Sequence, residues 1–239
     1  MSTNILSILI FFPLILSLPI LFFRRENQLL IKTYSLVISA MTFLISLYLV
    51  FNYNTTIGDF QFVEKVPWVK ITNTNYFVGM DGISLLLVML TTFIMPLSII
   101  ASWNSVKIRI KEYYFLMLLL EGSLIGVFVS LDLLLFYVFW EFILIPMYFL
   151  IGIWGGENRI YATLKFFIYT AFGSLLLLIG IIWVGNLVSA PNPFTTDFIE
   201  LSNSAPASTM GKQIFLFVLF TLSFLIKVPL FPFHTWLPD

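Results

Sequence analysis

The chain has 239 residues, of which 60% are hydrophobic and only 10% are charged, with equal numbers of acidic and basic side chains. A soluble domain carries about 25% charged residues, so this composition indicates a helical protein that crosses a membrane several times. The zero net charge argues against nucleic-acid binding. Without cysteine, these residues cannot form disulfides, thiolate zinc sites or iron–sulfur clusters, and one histidine cannot form a metal site alone.

Seven apolar segments approach the roughly 20 residues that a helix needs to cross a bilayer. The first is read as a retained helix, because it lacks the basic start and the cleavage site of a signal peptide. The sequence therefore predicts an all-α polytopic bundle that forms a single transmembrane domain over residues 1–239. The seven predicted spans are Asn4–Phe23, Thr33–Phe51, Gly79–Trp103, Tyr113–Ser130, Asp132–Ile151, Tyr161–Asn186 and Ile214–Leu230.

Three connections between the spans have recognisable features. The run Tyr113–Ile151 is too long for one helix across about 30 Å of hydrocarbon, so we expect a helical hairpin with Asp132 as the N-cap of its second helix. The segment Asn52–Val78 is expected to lie along the membrane surface. The segment Leu187–Gly211 is rich in Pro, Ser, Asn and Thr, and is expected to be an exposed, irregular loop without chemistry.

The loop charges predict the orientation. Seven basic residues lie on one side of the membrane and three on the other, and the larger group marks the cytoplasm or the matrix. The N-terminus is then on the intermembrane-space or periplasmic side. The first group contains Arg24, Arg25, Lys32, Lys107, Arg109, Lys111 and Arg159, and the second contains Lys65, Lys70 and Lys212.

Four ionisable residues lie inside spans, where a charge at mid-bilayer costs at least about 2.5–3.5 kcal/mol and usually marks an ion pathway. Glu141 is in the middle of its span, and Lys227 is about 20 Å along its helix at 1.5 Å per residue. Glu121 is also near mid-depth and is a further candidate. Lys165 lies in the first turns of its span, so snorkelling to the surface is an equal alternative. The alternative for Glu141 and Lys227 is a static pair that locks two helices together.

The residues around Lys227 favour proton transfer. Pro229 and Pro232 break the helix immediately after it, and irregular backbone at membrane depth needs protein or water around it. A desolvated lysine keeps its proton beside a carboxylate and releases it when that partner is removed. A Glu141–Lys227 pair that opens and closes is therefore a physically adequate gate. His234 follows on the same segment and suits a proton relay.

Three segments around these residues carry a family resemblance: SLDLLLFYVFWEFILIPMYFLIGIWGG, LKFFIYTAFGSLLLLIGI and FLIKVPLFPFHTWLPD. They resemble the proton-translocating antiporter-like subunits of respiratory NADH:quinone oxidoreductase (complex I), and YFVGMDGISLLLVMLTTFIMPLSIIASW resembles the third helix of such subunits. The resemblance implies that Glu141 is the fifth-helix glutamate and Lys227 the lysine at the seventh-helix break. It also implies that Lys165 and His234 belong to the same proton pathway.

The family also implies a larger architecture and partners. Its members have about fourteen helices, so residues 4–103 correspond to the first three helices and residues 113–239 to the start of the first antiporter-like repeat. The chain corresponds to half of such a subunit, so either it is a truncated product or a separate chain supplies the C-terminal half, and we expect the separate chain. The resemblance implies no cofactor in this chain, with FMN, iron–sulfur clusters and quinone in other subunits. The remaining partners are other membrane-arm subunits and lipids.

Three functions compete at this point. The first is proton pumping as part of NADH:ubiquinone oxidoreductase in the mitochondrial inner membrane, or in a bacterial plasma membrane. The second is a subunit of a Na⁺/H⁺ antiporter, since that family shares the motifs. The third is a structural membrane-arm subunit that does not pump.

Overall fold

The computed structural model of the protein describes residues 4–188, 194–204 and 208–237. In these ranges, seven stretches are long and apolar enough to cross a membrane: Ile5–Phe22, Gln28–Asn52, Gly82–Ala101, Ile110–Val129, Leu133–Trp154, Arg159–Leu187 and Met210–Lys227. The seven predicted spans are therefore confirmed, with ends that differ by a few residues. The helices are α1 (Ile5–Ser17), α2 (Gln28–Asn52), α3 (Gly82–Ala101), α4 (Ile110–Val129), α5 (Leu133–Phe142), α6 (Leu144–Trp154), α7 (Arg159–Val188), α8 (Phe198–Ser204) and α9 (Met210–Lys227).

Two of the spans are built from more than one helical piece. The first continues from α1 into a 3₁₀ turn over Leu18–Phe22, where Pro19 lies near the start. The fifth is interrupted at Ile143, between α5 and α6. Pro146 has no N–H to donate to the carbonyl of Phe142, so the regular hydrogen-bond ladder stops there. This break was not predicted from the sequence, and it falls two residues after Glu141.

Helix α4 is at the centre of the bundle and packs against α1, α2, α3, α5 and α6. Glycines allow two of these close approaches. A Cβ on Gly122 would lie 2.8 Å from the carbonyl oxygen of Ile10, and one on Gly126 would lie 2.5 Å from the ring of Phe139. The seventh span, α9, packs along α7 at one side of the bundle. Large apolar side chains such as Leu86 on α3, which is 70% exposed, face outward as lipid-facing residues do.

The connection between α2 and α3 contains a β-hairpin that the sequence analysis did not predict. Strand β1 (Gln61–Val69) pairs antiparallel with β2 (Thr74–Met80), and Asn73 takes a left-handed conformation in the turn. Most of β2 is buried, because it packs on the outer ends of α4 and α5. The segment is thus a folded cap on the bundle and not a strip that lies along the membrane.

The hairpin also completes the start of α1. Glu64 on β1 is buried, and its carboxylate accepts hydrogen bonds from the backbone N–H groups of Leu6 at 2.8 Å and Ser7 at 3.3 Å. These N–H groups have no partner within the helix, so the carboxylate serves as a distant N-cap. The hydroxyl of Tyr76 lies 2.8 Å from that of Ser7, and burial raises the pKa of Tyr76.

The predicted hairpin turn at Asp132 is confirmed. Its fully buried carboxylate accepts from the N–H groups of Leu134 at 2.9 Å and Leu135 at 3.2 Å, which makes Asp132 the N-cap of α5. It also accepts from the N–H of Asn75 in β2 and from the hydroxyl of Thr196, so one side chain joins three segments.

The expectation for Leu187–Gly211 was wrong in part, because residues 195–197 are buried and a short helix follows them, whereas most of the other described residues of the segment are exposed. Residues 189–193 and 205–207 lie outside the described ranges. Thr195, Thr196 and Asp197 are buried, and α8 follows them. The carboxylate of Asp197 binds the ammonium of Lys65 on the hairpin at 2.6 Å. Residues 195–197 are thus held against the hairpin and buried, and α8 is a regular helix that is mostly exposed.

Candidate proton-transfer site

Two helix interruptions meet at the proposed site. One is the break at Ile143, after Glu141, and the other is the end of α9 at Lys227. Pro229 cannot donate to the carbonyl of Leu225, and the N–H of Leu230 takes its place at 3.1 Å. Beyond it, the peptide bond before Pro232 is cis and the chain forms a 3₁₀ turn over Phe233–Trp236.

The segment after the break returns to the helix end and satisfies its backbone. The carbonyl of Ile226 would normally accept from Leu230, whose N–H is already used. The indole Nε1 of Trp236 donates to it at 2.8 Å. The ring of Trp236 also lies 5.2 Å from that of Phe166 on α7, centroid to centroid. The carbonyls of Leu225 and Ile226, which the break would leave open, are thus satisfied by protein groups.

Lys227 contacts the residue directly before Glu141. Its Nζ donates to the backbone carbonyl of Trp140 at 3.0 Å, and it lies 4.5 Å from the centroid of the Trp140 ring. This contact fixes the end of α9 against α5. The hydrogen bond and the cation–π contact both stabilise the ammonium in a site with little water.

Glu141 lies beside this contact, without a direct ion pair to Lys227. Its side chain is half-buried, and Oε1 is buried with no hydrogen-bond partner among the described residues. The ion pairs in the described ranges join Arg25 to Glu112 and Lys65 to Asp197. The structure therefore brings Glu141 and Lys227 together in one place, and their pairing through water stays a prediction.

Lys165 and His234 lie on elements that border this place. Lys165 is half-buried on α7, with its Nζ 5.6 Å from the centroid of the Tyr161 ring one turn earlier. His234 is half-buried in the 3₁₀ turn; its Nδ1 is buried without a hydrogen-bond partner among the described residues, and its ring lies 5.7 Å from that of Phe231. Their roles in a pathway stay predictions.

Glu121 lies on a different face of the bundle. Its carboxyl group is fully buried and accepts from the hydroxyl of Ser39 on α2 at 3.2 Å. Gly126 on the same helix faces Phe139 of α5. At about 100° per residue, the two positions point roughly 140° apart around α4. Glu121 therefore faces away from α5 and belongs to another environment than Glu141.

The sequence analysis missed Trp140. Its indole and its backbone carbonyl are the described partners of the Lys227 ammonium. The signal was its position directly before a membrane glutamate, but a carbonyl is present at every residue. Only the packing of α9 on α5 selects this one.

Comparison with known proteins gives two family matches, one to each half of the chain. Residues 7–127 match the family described as NADH-ubiquinone oxidoreductase chain 4, amino terminus. Residues 130–239 match the transmembrane family described as NADH:quinone oxidoreductase/Mrp antiporter. The chain belongs to the chain 4 family of NADH:quinone oxidoreductase. The predicted resemblance is confirmed, and the two matches meet at the link between α4 and α5.

Relatives come from bacteria and from a plant. The chain is 41% identical to NADH-quinone oxidoreductase subunit M of Rickettsia prowazekii, over 98% of this chain and 48% of the relative. It is 41% identical to NADH-ubiquinone oxidoreductase chain 4 of Arabidopsis thaliana, over 98% of this chain and 46% of the relative. The chain thus spans about half the length of these relatives.

Two solved structures share the fold. A chain of respiratory complex I from Thermus thermophilus with bound NADH superposes with a TM-score of 0.84 at 28% identity, over 98% of this chain and 46% of that one. A chain of the Mrp complex from Dietzia superposes with a TM-score of 0.82 over 98% of this chain and 25% of that one. At 20% identity, the second likeness shows the fold alone. The protein is a multi-pass membrane protein of this antiporter-like architecture.

Proposed function

We propose that the chain is part of the proton-translocating membrane arm of an NADH:ubiquinone oxidoreductase and that protons pass through Glu141 and Lys227. The observation that carries the proposal is the ammonium of Lys227 on the Trp140 carbonyl, 3.0 Å away, beside the unpartnered carboxyl oxygen of Glu141. Membership in the chain 4 family supports the assignment to this complex.

The carbonyl contact suits a lysine that changes its charge. A protonated amine and a neutral amine both have an N–H to donate, so the Trp140 carbonyl holds the nitrogen in either state. When Glu141 is ionised and close, the field of the carboxylate keeps Lys227 charged. When Glu141 takes up a proton or turns away, the half-buried ammonium loses this support and passes its proton on. Lys165 and His234 are the proposed neighbours on this pathway.

The remaining parts of the reaction belong to other subunits in this proposal. FMN, iron–sulfur clusters and the quinone are held there, and electron transfer drives the change at Glu141 from a distance. The partners are further membrane-arm subunits and lipids. The membrane is the mitochondrial inner membrane or a bacterial plasma membrane, with the N-terminus on the intermembrane-space or periplasmic side.

Substitution of Lys227 tests the proposal. Lys227→Met should reduce NADH-driven proton uptake by inverted membrane vesicles by about tenfold or more, which is a modest loss for a proton-transfer group. NADH oxidation by an artificial electron acceptor should be unchanged, because the redox centres lie elsewhere. Lys212→Met is the matched control, since Lys212 is an exposed lysine in the first turn of the same helix.

Equal loss of both activities in Lys227→Met would show an assembly defect, and full proton uptake would contradict the proposal.

A second function is favoured by the Mrp family match, namely a subunit of a Na⁺/H⁺ antiporter. That function predicts that proton movement requires Na⁺ and continues without NADH. Retained pumping in both Lys227→Met and Glu141→Gln would favour the purely structural role.

A further inference from the structure

The carboxyl group of Glu121 is the most enclosed acid in a described membrane span. Glu121 is 0% exposed, in the middle of α4. Oε1 accepts from the hydroxyl of Ser39 at 3.2 Å, and Oε2 is buried without a partner among the described residues. The proposed Glu141–Lys227 pathway does not use this group, since Glu121 points about 140° away from α5.

The elements that pack on α4 supply no counter-charge to Glu121. The segments α1, Leu18–Phe22, α3, α6 and β2 contain no Asp, Glu, Lys, Arg or His. On α2 the charged residue is Lys32, seven residues before Ser39, and its Nζ is bound to the carbonyl of Trp103 at 2.5 Å. On α5 it is Glu141, which directly follows the Trp140 that Lys227 contacts. The other titratable groups on these elements are Tyr34, Tyr48, Tyr76, Tyr137 and Tyr148, and α4 itself carries Lys111, Glu112, Tyr113 and Tyr114.

An isolated carboxylate is far more costly to bury than a carboxylic acid. The acid form also fits the observed contacts, because one oxygen accepts from Ser39 while the other carries a proton. The surroundings of Glu121 therefore favour the protonated acid over the carboxylate. For the site to have a function, the proton of this acid must be able to pass to a neighbouring polar group.

A row of buried hydroxyls begins at this acid. Ser35, Ser39, Thr42 and Ser46 follow one face of α2 at spacings of four, three and four residues, and all four are fully buried. The row is extended by Thr92 on α3, which is also fully buried and lies 2.7 Å from the hydroxyl of Ser46. Between Ser39 and Ser46 the row advances about 10 Å toward the hairpin side of the membrane.

The row is longer toward the hairpin than toward the opposite side. Thr42, Ser46 and Thr92 lie on the hairpin side of Ser39, and Ser35 lies on the other side. Below Ser35, the buried hydroxyls of Tyr114 and Ser102 lie 3.4 Å apart in an otherwise apolar core. Above Ser46, the fully buried side chains of Leu49 and Val88 are apolar. The hydroxyl in contact with Glu121 is that of Ser39, and from Ser39 the row along α2 continues mainly toward the hairpin.

We propose that Glu121 is a second proton-binding carboxyl, which exchanges its proton with the hairpin side of the membrane through Ser39, Thr42, Ser46 and Thr92. Each hydroxyl both donates and accepts hydrogen bonds. It can therefore pass a proton along the row by giving its own hydrogen to the next hydroxyl and accepting one from the previous hydroxyl. Thr42 and Ser46 now donate to the carbonyls of Ile38 and Phe43, and they rotate away from these during transfer. The site is independent of Glu141 and Lys227.

Infrared difference spectroscopy of the assembled complex tests the site directly. A protonated carboxyl gives a C=O band that is separate from that of a carboxylate, and this band shifts when the acid proton is replaced by deuterium. The wild-type protein should show a band that is absent in Glu121→Gln. Ser39→Ala should keep the band at a shifted frequency, because it removes the hydrogen bond and leaves the acid in place.

The rate of the deuterium shift tests the row. The double variant Ser46→Ala/Thr92→Val should slow the shift at least about tenfold, which corresponds to 1.36 kcal/mol in the exchange barrier. Thr91→Val is the matched control, because Thr91 is the neighbour of Thr92, and its hydroxyl donates to the carbonyl of Leu87 outside the row. This control should leave the rate unchanged.

Three results would overturn the proposal. A wild-type protein without the band would mean that Glu121 is ionised. A band whose frequency Ser39→Ala leaves unchanged would belong to another acid. Because Ser39→Ala keeps the acid in place, this comparison decides the case even if Glu121→Gln does not assemble. An unchanged rate in the double variant would remove the hydroxyl row from the path. None of these readouts measures pumping, so they do not depend on the function proposed for Glu141 and Lys227.

Discussion

A backbone carbonyl, and not a carboxylate, makes the short contact with the half-buried ammonium of Lys227. Lys227 donates to the carbonyl of Trp140, which bears no formal charge and cannot be titrated. A direct ion pair with Glu141 would favour one charge state of both groups strongly. The carbonyl holds the amine in place whether or not it is charged. In the function proposed above, the charge of Lys227 is then set by Glu141 nearby.

If the two side chains act as one unit, their substitutions should not be additive. Glu141→Gln and Lys227→Met should each lower NADH-driven proton uptake strongly. The double variant should take up protons no more slowly than the more impaired of the two single variants. Groups that act together in one step show such non-additive losses. The measurement is the rate of proton uptake in vesicles, normalised to NADH oxidation.

The exposed ion pair Arg25–Glu112, at 3.0 Å, provides the control cycle. Substitution of either partner should change proton uptake little, because exposed pairs contribute about 0–1 kcal/mol. If the losses at Glu141 and Lys227 multiply in the double variant, then the two residues act at separate steps.

At the level of elements, the sequence predicted the membrane spans well and the segments that connect them at the hairpin end poorly. Seven apolar runs identify the spans because a helix must satisfy its own backbone in lipid. The β-hairpin was missed because Pro67 and the two charged residues Glu64 and Lys65 weaken the strand pattern of β1. Its stability comes from the ends of the helices below it. Similarly, charges within apolar runs identified Glu141 and Lys227, whereas the Trp140 carbonyl depends on how α9 packs.

Asp132 is a position where one substitution removes contacts to three segments. Asp132→Ala should reduce the free energy of unfolding by about 2–4 kcal/mol, because it removes the N-cap of α5 and leaves the N–H of Asn75 and the hydroxyl of Thr196 unpaired. Titration of the purified protein with denaturing detergent, followed by circular dichroism, measures this loss.

Asp81 is a matched control for this test. It caps α3 through a single hydrogen bond from the N–H of Ser84 at 2.7 Å. Asp81→Ala should therefore cost only about 1 kcal/mol. Equal losses in the two variants would show that the contacts of Asp132 to the hairpin and to Thr196 add nothing to its role as a cap.

At the scale of the whole molecule, the two ends of the bundle are held in different ways. At the hairpin end, buried carboxylates do the joining: Glu64 caps α1, Asp132 caps α5, and Asp197 binds Lys65. At the other end, cations bind exposed backbone carbonyls. Lys111 donates to Leu21 at 2.8 Å, and Lys32 donates to Trp103. The bias of positive charge toward one end predicts that this end faces the matrix or the cytoplasm.

The absence of cysteine from the sequence makes this orientation easy to measure. A single introduced cysteine is the only thiol in the chain, and a maleimide that cannot cross membranes reacts with it from one side only. Gly58, Gly156 and Gly211 are suitable positions, since an added Cβ would meet nothing within 4 Å at any of them. All three substitutions should therefore leave the fold unchanged.

Gly58→Cys and Gly211→Cys should react when the reagent is added on the intermembrane-space or periplasmic side. Gly156→Cys lies between α6 and α7 at the opposite end, so it should react only from the matrix or cytoplasmic side. Labelling of all three after the membrane is opened checks that each thiol is accessible. The reverse pattern would invert the topology, and with it the side from which the hydroxyl row reaches Glu121. Labelling of Gly58→Cys and Gly211→Cys from different sides would contradict the fold itself, because an even number of spans separates them.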